Sequence, residues 1–290
     1  MKYLDPKADL TFKHIFGEHP DLVMSLLNAL LPLTPEEEIQ EIEYLSAELV
    51  PDNPLRKYSI VDVRCKDKSG RQFLVEMQMI WSPEFQQRVL FNASKAYVRQ
   101  LDKGENYHLL QPVYSLNLVN DIFEPNLEGF YHHYALIHTE HSDKIIEGLQ
   151  LVFVELPKFT PHNFSEKKML VLWLRFLTEI DEKTRQVPAE LLANPEVNKA
   201  LTALEKSAFS DAELLGYEKF WDMIRVENAL INKGKAEGLL EGKAEGLLEG
   251  KAEGKVEEQH QIAAEMKKQS LPLEIIAQCT KLSIEEITKL

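Results

Sequence analysis

Two acidic residues sit inside apolar runs within one short stretch of the chain, and their types and spacing are those of a cation site. Residues 58–80 read YSIVDVRCKDKSGRQFLVEMQMI, with Asp62 in the first run and Glu76 in the second. Alternation marks each run as a β-strand. Val61, Val63 and Cys65 share one face of the first strand, and Ile60, Asp62, Arg64 and Lys66 the other. Leu74, Glu76 and Gln78 share a face of the second. Between the strands, Lys68-Ser69-Gly70 suits a three-residue hairpin loop with glycine in the left-handed position. A loop centred on Ser69 places Asp62 directly opposite Glu76. Directly opposed Cβ atoms lie roughly 4.5–5.5 Å apart, and like charges there are destabilising.

Two carboxylates held that close require a positive partner, and a divalent cation is the obvious one. Asp62, Glu76 and the backbone carbonyl of Met77 make an oxygen donor set of the kind Mg²⁺ takes, with water and phosphate oxygens completing the octahedron. A cation so held acidifies a bound water and polarises phosphorus. Gln78 can orient that water but brings no positive charge. A single acid near a hairpin ordinarily marks a solvated edge; the enclosure of both acids in apolar runs sets this pair apart.

The flanking segments must position that hairpin. Residues 1–31 read as a helical opening, with Asp9 as N-cap and Phe12, Ile15 and Phe16 at helical spacing, then a second amphipathic helix over 22–31 closed by Pro32. Residues 42–49 fit strand or helix. A long helix is expected over 84–102, stopping at Gly104, with Val89, Ala93, Ala96 and Val98 apolar and Arg88, Lys95 and Arg99 basic. Strands follow at 113–119, 128–137 and 149–156. From 165 to 231 the pattern turns helical, over 168–180, 195–204 and 211–230, with aromatic faces that core packing explains.

Residues 234–257 repeat as GKAEGLLE, GKAEGLLE, GKAEGKVE. Each glycine costs a helix about 1 kcal/mol against alanine, and glutamates four apart repel. Four residues overshoot one helical turn, so the apolar column drifts and makes no heptad seam. The expectation is a semi-flexible spacer; the alternative is a pair of helices brought close by glycine grooves. Residues 261–290 read as a compact helical pair with a capping box from Ser283 to Glu286. The outline is that of a helix-turn-helix, but Glu285 and Glu286 beside a single Lys289 suit a DNA groove poorly. A small packing or self-association module is at least as good an account.

The 290 residues are 44% hydrophobic, as in a globular protein, with no apolar run of membrane-span length and no signal-peptide core at the start. Cys65 and Cys279 make no disulfide framework. A cytoplasmic protein without membrane attachment is expected. The net charge of −14 counts against a protein that coats nucleic acid through a broad basic surface. It does not count against an enzyme that grips one phosphodiester locally. His132, His133, His138 and His141 lie on strand and turn without the spacing of a zinc site, and no phosphate loop, nucleophile elbow or Ser/His/Asp set is present.

The spacing D-x(13)-E-x-Q on a hairpin resembles the PD-(D/E)XK nuclease superfamily, which carries Asp and then (D/E)-x-K on adjacent strands. Five segments in order narrow the resemblance: DPKADLTFKHIFG from Asp5, SIVDVRCKD from Ser59, FLVEMQ from Phe73, QRVLFNASKAYVRQLDKGENY from Gln87 and PVYSLNL from Pro112. Together they are similar to the Rpn family of recombination-promoting nucleases, also described as transposases of the PD-(D/E)XK type. The similarity covers residues 1–160 well, the helical middle loosely and the tail by the style of its repeats.

What the resemblance implies is an α/β protein with a restriction-endonuclease-like mixed sheet flanked by helices, followed by an all-helical region and a helical tail. The divisions are a nuclease-like core over 1–160, a helical extension over 161–232, a repeat arm over 233–258 and a tail over 259–290. Asp62 and Glu76 become catalytic metal ligands, with the Met77 carbonyl beside them and Gln78 at the third motif position; the cofactor is Mg²⁺, with Mn²⁺ as an alternative. Glutamine stands where lysine is usual, which leaves open the group that neutralises charge developing at phosphorus. Lys13, Lys66 and Arg88 are the candidates. Asp9 matches the N-terminal motif and is either a further metal ligand or a helix cap. Arg88, Tyr97 and Gln100 match the helix motif, for phosphate contact or for packing. The expected function is a Mg²⁺-dependent DNA endonuclease that promotes recombination, self-associating through its arm and tail. Two competing readings are an inactive nuclease scaffold serving as an interaction protein and a DNA-binding regulator acting through the tail.

Overall fold

Helices cover both faces of a six-stranded mixed sheet in the computed structural model, which describes residues 2–49, 59–161 and 168–290. Tyr58, at the start of the expected hairpin, and Ser165, at the start of the helical region, lie outside the described residues. The chain opens with helices α1 (Asp9–Glu18) and α2 (Pro20–Leu30) and then short strands β1 (Ile42–Tyr44) and β2 (Glu48–Leu49). Strands β3 (Ser59–Ile60), β4 (Val63–Asp67) and β5 (Gln72–Gln78) lead into helix α3 (Pro83–Val98). Strands β6 (Val113–Val119), β7 (Tyr131–His138) and β8 (His141–Glu155) complete the sheet. Helices α4 (Lys168–Glu179), α5 (Ala189–Ala193), α6 (Pro195–Ala203), α7 (Asp211–Lys268), α8 (Leu273–Thr280) and α9 (Ile284–Lys289) follow.

The strand order is β1-β4-β5-β6-β8-β7; β5, β6 and β8 run parallel and the rest pair antiparallel. Every residue of β6 is buried, as expected of a parallel strand covered on both faces. On one face Phe73, Val75, Leu116, Leu118, Val152 and Val154 meet α1, α2, α4 and α6 through Phe12, Phe16, Leu26, Trp173 and Val197. Trp173 packs edge-on against Phe16 with ring centroids 5.5 Å apart, and its indole N–H donates to Ser25 Oγ at 3.1 Å. On the other face α3 is the one helix among the described residues, setting Ala93 and Ala96 against Leu74 and Val113, and Phe85 and Val89 against Val119 and Phe153. The acidic pair is on this face, in a cavity beside α3.

The hairpin register is the expected one: Val63 faces Val75, Cys65 faces Phe73, and Gly70 closes the loop at φ +89°. The expected pairing of Asp62 with Glu76 is not made, because the ladder stops at Val63–Val75. Tyr44 faces Cys65 and Glu48 faces Ile60, so three intervening residues on one strand oppose four on the other. That extra residue is a β-bulge centred on Asp62, which turns the chain and re-aims its side chain. The bulge also moves Val61 from the expected Val63 and Cys65 face to the opposite one, where it packs with Leu74 under α3.

Other boundaries move for identifiable reasons. Ala8, not Asp9, is the N-cap of α1, and Asp9 pairs with Lys13 one turn on. Residues 42–49 are strand, split into β1 and β2 by the bulge opposite. Helix α3 ends at Val98, four residues before the expected end, and Gly104 turns the chain at φ +97°. Strand β8 begins eight residues before the expected strand, because 141–148 pair only with β7 and are exposed for most of their length, without an apolar run to announce them.

The chain divides into two units, Met1–Ile224 and Arg225–Leu290, so the boundary expected at 160 falls inside the first. In the second unit α7 runs through all the glycine repeats as helix, where a semi-flexible spacer was expected. The tail is the expected helical pair: Ala263, Ile276 and Ile287 form a small core, and Ser283 and Glu286 make the capping box. No helix among the described residues is long and apolar enough to cross a membrane.

Candidate active site

Asp62, Glu76, Met77, Gln78 and Arg88 line one cavity of about 1000 Å³ between the hairpin and α3. Glu76 comes from β5 and points to the α3 side with Leu74, as strand alternation requires. Its exposure is 4%. Asn92 Nδ2 donates to its Oε1 at 3.1 Å, and Arg88 donates to its Oε2 at 3.3 Å. The same Arg88 nitrogen donates to Gln78 Oε1 at 2.9 Å, and the guanidinium lies over the Phe85 ring at 4.8 Å. Arg88 and Asn92 are four apart on α3, which puts both over Glu76.

Asp62 reaches the site from the bulge. Its Oδ2 accepts from the Met77 N–H at 2.8 Å, and Lys13 Nζ stands 3.7 Å from its Oδ1. In a strand the N–H and C=O of one residue point to the same edge, so the Met77 carbonyl is directed to the Asp62 side. Burial pushes both carboxyls above the usual carboxylate range. For Asp62 the Met77 N–H and Lys13 work against that rise and Asp9 adds to it. For Glu76, Arg88 and Asn92 oppose the rise and Asp62 adds to it. Glu76 therefore feels Asp62 without being paired with it in the ladder. Burial works against the charge of Lys13, but Asp9 and Asp62 outweigh it and its pKa is raised.

This donor set suits a hard divalent cation. Buried Glu76 and half-buried Asp62, both raised by desolvation, with a carbonyl aimed to the same side, are all oxygen, and they open onto a cavity that admits water and phosphate. Among the described residues no group of three or more His, Cys, Asp or Glu gathers at metal-binding separation, so such a cation would rest on two side chains, the carbonyl and solvent or substrate oxygens.

The remaining sequence-predicted residues are placed elsewhere. Asp9 is half exposed and held by Lys13 at 2.5 Å, with Lys13 standing between it and Asp62. Lys66 pairs with Glu43 on β1 at 3.0 Å. Tyr97 packs its ring over Gly148 on β8. Gln100 exchanges two 2.9 Å hydrogen bonds with the backbone of Gln111, fixing the turn into β6. These last three make their contacts elsewhere in the fold and form no part of the cluster. Gln78 is tied at both ends, because its Nε2 donates to the Ile80 carbonyl at 2.7 Å while its Oε1 holds Arg88. It positions the arginine and keeps one N–H and one lone pair of its amide for water or substrate. Asn92 was missed, although an asparagine on the apolar Phe85, Val89, Ala93 and Ala96 face of a helix is a legible signal. Its Oδ1 is buried without a hydrogen-bond partner among the described residues.

A second buried carboxylate ends β8. Glu155 is fully buried; its Oε1 accepts from the Phe123 N–H at 2.6 Å and the Glu124 N–H at 2.9 Å. Its Oε2 meets His132 Nε2 at 2.8 Å and Lys158 Nζ at 2.6 Å. Burial pushes its pKa up, but these partners together hold it below the usual range.

A family model described as PD-(D/E)XK nuclease family transposase matches residues 6–233. No curated protein and no solved structure gives a significant match.

Proposed function

The chain belongs to the family of PD-(D/E)XK nuclease family transposases, and from that premise we propose that it is a Mg²⁺-dependent DNA endonuclease whose hydrolytic site is the Asp62–Glu76–Arg88 cluster. The observation that carries the reading is the convergence of buried Glu76, half-buried Asp62, both raised, and an arginine that bridges Glu76 to Gln78 on a solvent-open cavity. Asp62, Glu76 and the Met77 carbonyl would hold the cation. Mg²⁺ bound there, or Mn²⁺ in its place, would supply charge neutralisation and lower the pKa of a bound water.

The chain's own groups do the rest. Asn92 fixes Glu76 Oε1, so that the carboxylate keeps one orientation. Arg88 takes the place of the usual lysine. It is nearly half exposed, anchored by Gln78 and Phe85, and its guanidinium presents further N–H donors that can meet a phosphoryl oxygen as negative charge develops. Lys13 offsets the charge of Asp62 from the α1 side. Promotion of recombination through strand cleavage is the biological role this activity supports. Self-association through the second unit is part of the proposal. Leu239, Leu240 and Leu247 are exposed on α7, and a pair of chains would bring two sites to two strands.

Nicking of supercoiled plasmid by the full-length protein tests the site. Cleavage with Mg²⁺ or Mn²⁺ is expected, with loss in Asp62→Ala and Glu76→Ala; unchanged nicking in both variants overturns the assignment. Light scattering on the full chain and on residues 1–232 tests the pairing, which fails if both are monomers.

A further inference from the structure

The cavity that holds the carboxylates is not polar throughout. Ile60, Leu90 and Phe91 line its outer part and are 52%, 44% and 41% exposed. Exposed apolar groups gathered beside a site are an interaction surface more often than an accident. Phe91 lies one turn beyond Arg88 on α3 and next to Asn92, so the helix presents a cation, an aromatic ring and then Ser94 along one wall. Lys95 Nζ sits 5.0 Å from the Phe91 ring centroid, and it also donates to the Leu49 carbonyl at 2.8 Å and Ser59 Oγ at 3.3 Å. The ring is therefore braced from the helix side, with its exposed part turned to the cavity.

Duplex DNA suits this wall poorly. A duplex is held by a series of Lys and Arg contacts to its phosphates. Among the described residues lining the cavity Arg88 is the sole cation, against Asp62, Glu76 and Glu84. Single strands are held differently, by stacking of unpaired bases on aromatic rings beside a few charges. On the nuclease reading of this site, we infer that Phe91 is a stacking platform for a base next to the reacting phosphate, and that the substrate is DNA with unpaired nucleotides, single-stranded or locally opened. Arg88 then meets the phosphate while the adjoining base covers Phe91, Leu90 and Ile60.

The test uses the full-length protein and two fluorescein-labelled probes, a 20-nucleotide DNA single strand and a blunt hairpin duplex containing the same sequence. Anisotropy at low ionic strength without divalent cations reads binding alone. The single strand is expected to bind at least tenfold tighter than the duplex. Phe91→Ala should weaken single-strand binding roughly tenfold, the order of one lost base–aromatic stack, and change duplex binding less than twofold. Phe91→Trp should retain wild-type affinity. With Mn²⁺, an abasic nucleotide walked along the single strand should depress cleavage at one position beside the cut, and Phe91→Ala should add nothing at that position. A purely structural Phe91 would not produce that non-additivity. Equal affinity of the wild type for both probes, or an unchanged single-strand affinity in Phe91→Ala, overturns the inference. If Asp62-dependent cleavage persists in that case, the nuclease reading stands without the platform. Phe91-dependent binding without any cleavage refutes the nuclease reading and leaves the platform in place.

Discussion

Glu76 and Glu155 lie on parallel strands of the same sheet, both buried, both with a cation at hand, and the fold treats them in opposite ways. Glu155 receives four donors, two backbone N–H groups, a histidine and a lysine, and its pKa is held down. Glu76 receives two donors, a side-chain amide and a longer contact from Arg88, and its pKa is driven up by burial with Asp62 adding to the rise. A buried charge is tolerated when its lone pairs are fully used and is costly when they are not. Glu155 therefore clamps the 121–130 loop onto the sheet, while Glu76 is an acid whose environment is incomplete without a further positive partner. On the proposed reading, the contrast separates a structural carboxylate from one kept ready for chemistry.

That difference is broken most sharply by the same substitution at both places. Glu76→Gln should abolish cleavage, by 10³-fold or more on the order seen when an essential group is removed, while its urea midpoint without divalent cation equals or exceeds that of the wild type. Glu155→Gln should do the reverse and leave cleavage within a fewfold at temperatures where it is folded. Next in size, Arg88→Ala should cost about 10²–10³-fold in cleavage rate, the range for loss of one donor to developing charge. Arg88→Lys should recover part of it, and an unchanged KM for DNA would locate the loss in the chemical step.

On the stability side, Glu155→Gln should cost about 3 kcal/mol at neutral pH, the lower end for breaking a buried pair. The pH dependence follows from its depressed pKa. Between that value and the ordinary 4.5 the unfolded chain holds more protons than the native one, so the contribution of Glu155 is complete above about 4.5 and is lost as pH falls. Urea melts at pH 7 and at pH 3 should show a larger difference between variant and wild type at the first than at the second. The raised pKa values of Asp62 and Glu76 carry the opposite sign and favour the native state toward acid pH. The smallest expected effect is that of Asn92→Ala, about tenfold in rate, because it frees the orientation of Glu76 without removing a charge.

Much of this contrast could be read from the chain, and the rest follows from geometry that alternation does not encode. The hairpin, its loop and its register followed from the two apolar runs and Gly70, and they brought Asp62 and Glu76 to the same end of the sheet. The bulge at Asp62 was not legible, because it arises from the pairing with residues 44–48, whose own pattern was ambiguous. Arg88 stood among three candidate cations, and only the placement of α3 over β5 separated it from Lys66, which faces Glu43 instead. Glu155 went unnoticed because its partners come from 123, 124, 132 and 158, none at a spacing that carries meaning in sequence. The glycine repeats were expected to weaken a helix, yet α7 continues through them; intrinsic propensity favoured the spacer, and the structure does not follow it.

Glu76 is proposed to be left incomplete for a cation, and calorimetric titration of Mn²⁺ into the full-length protein tests that most directly. One site is predicted in the wild type, lost in Glu76→Gln and in Asp62→Asn and retained in Glu155→Gln. Equal Mn²⁺ binding by the wild type and Glu76→Gln would contradict it.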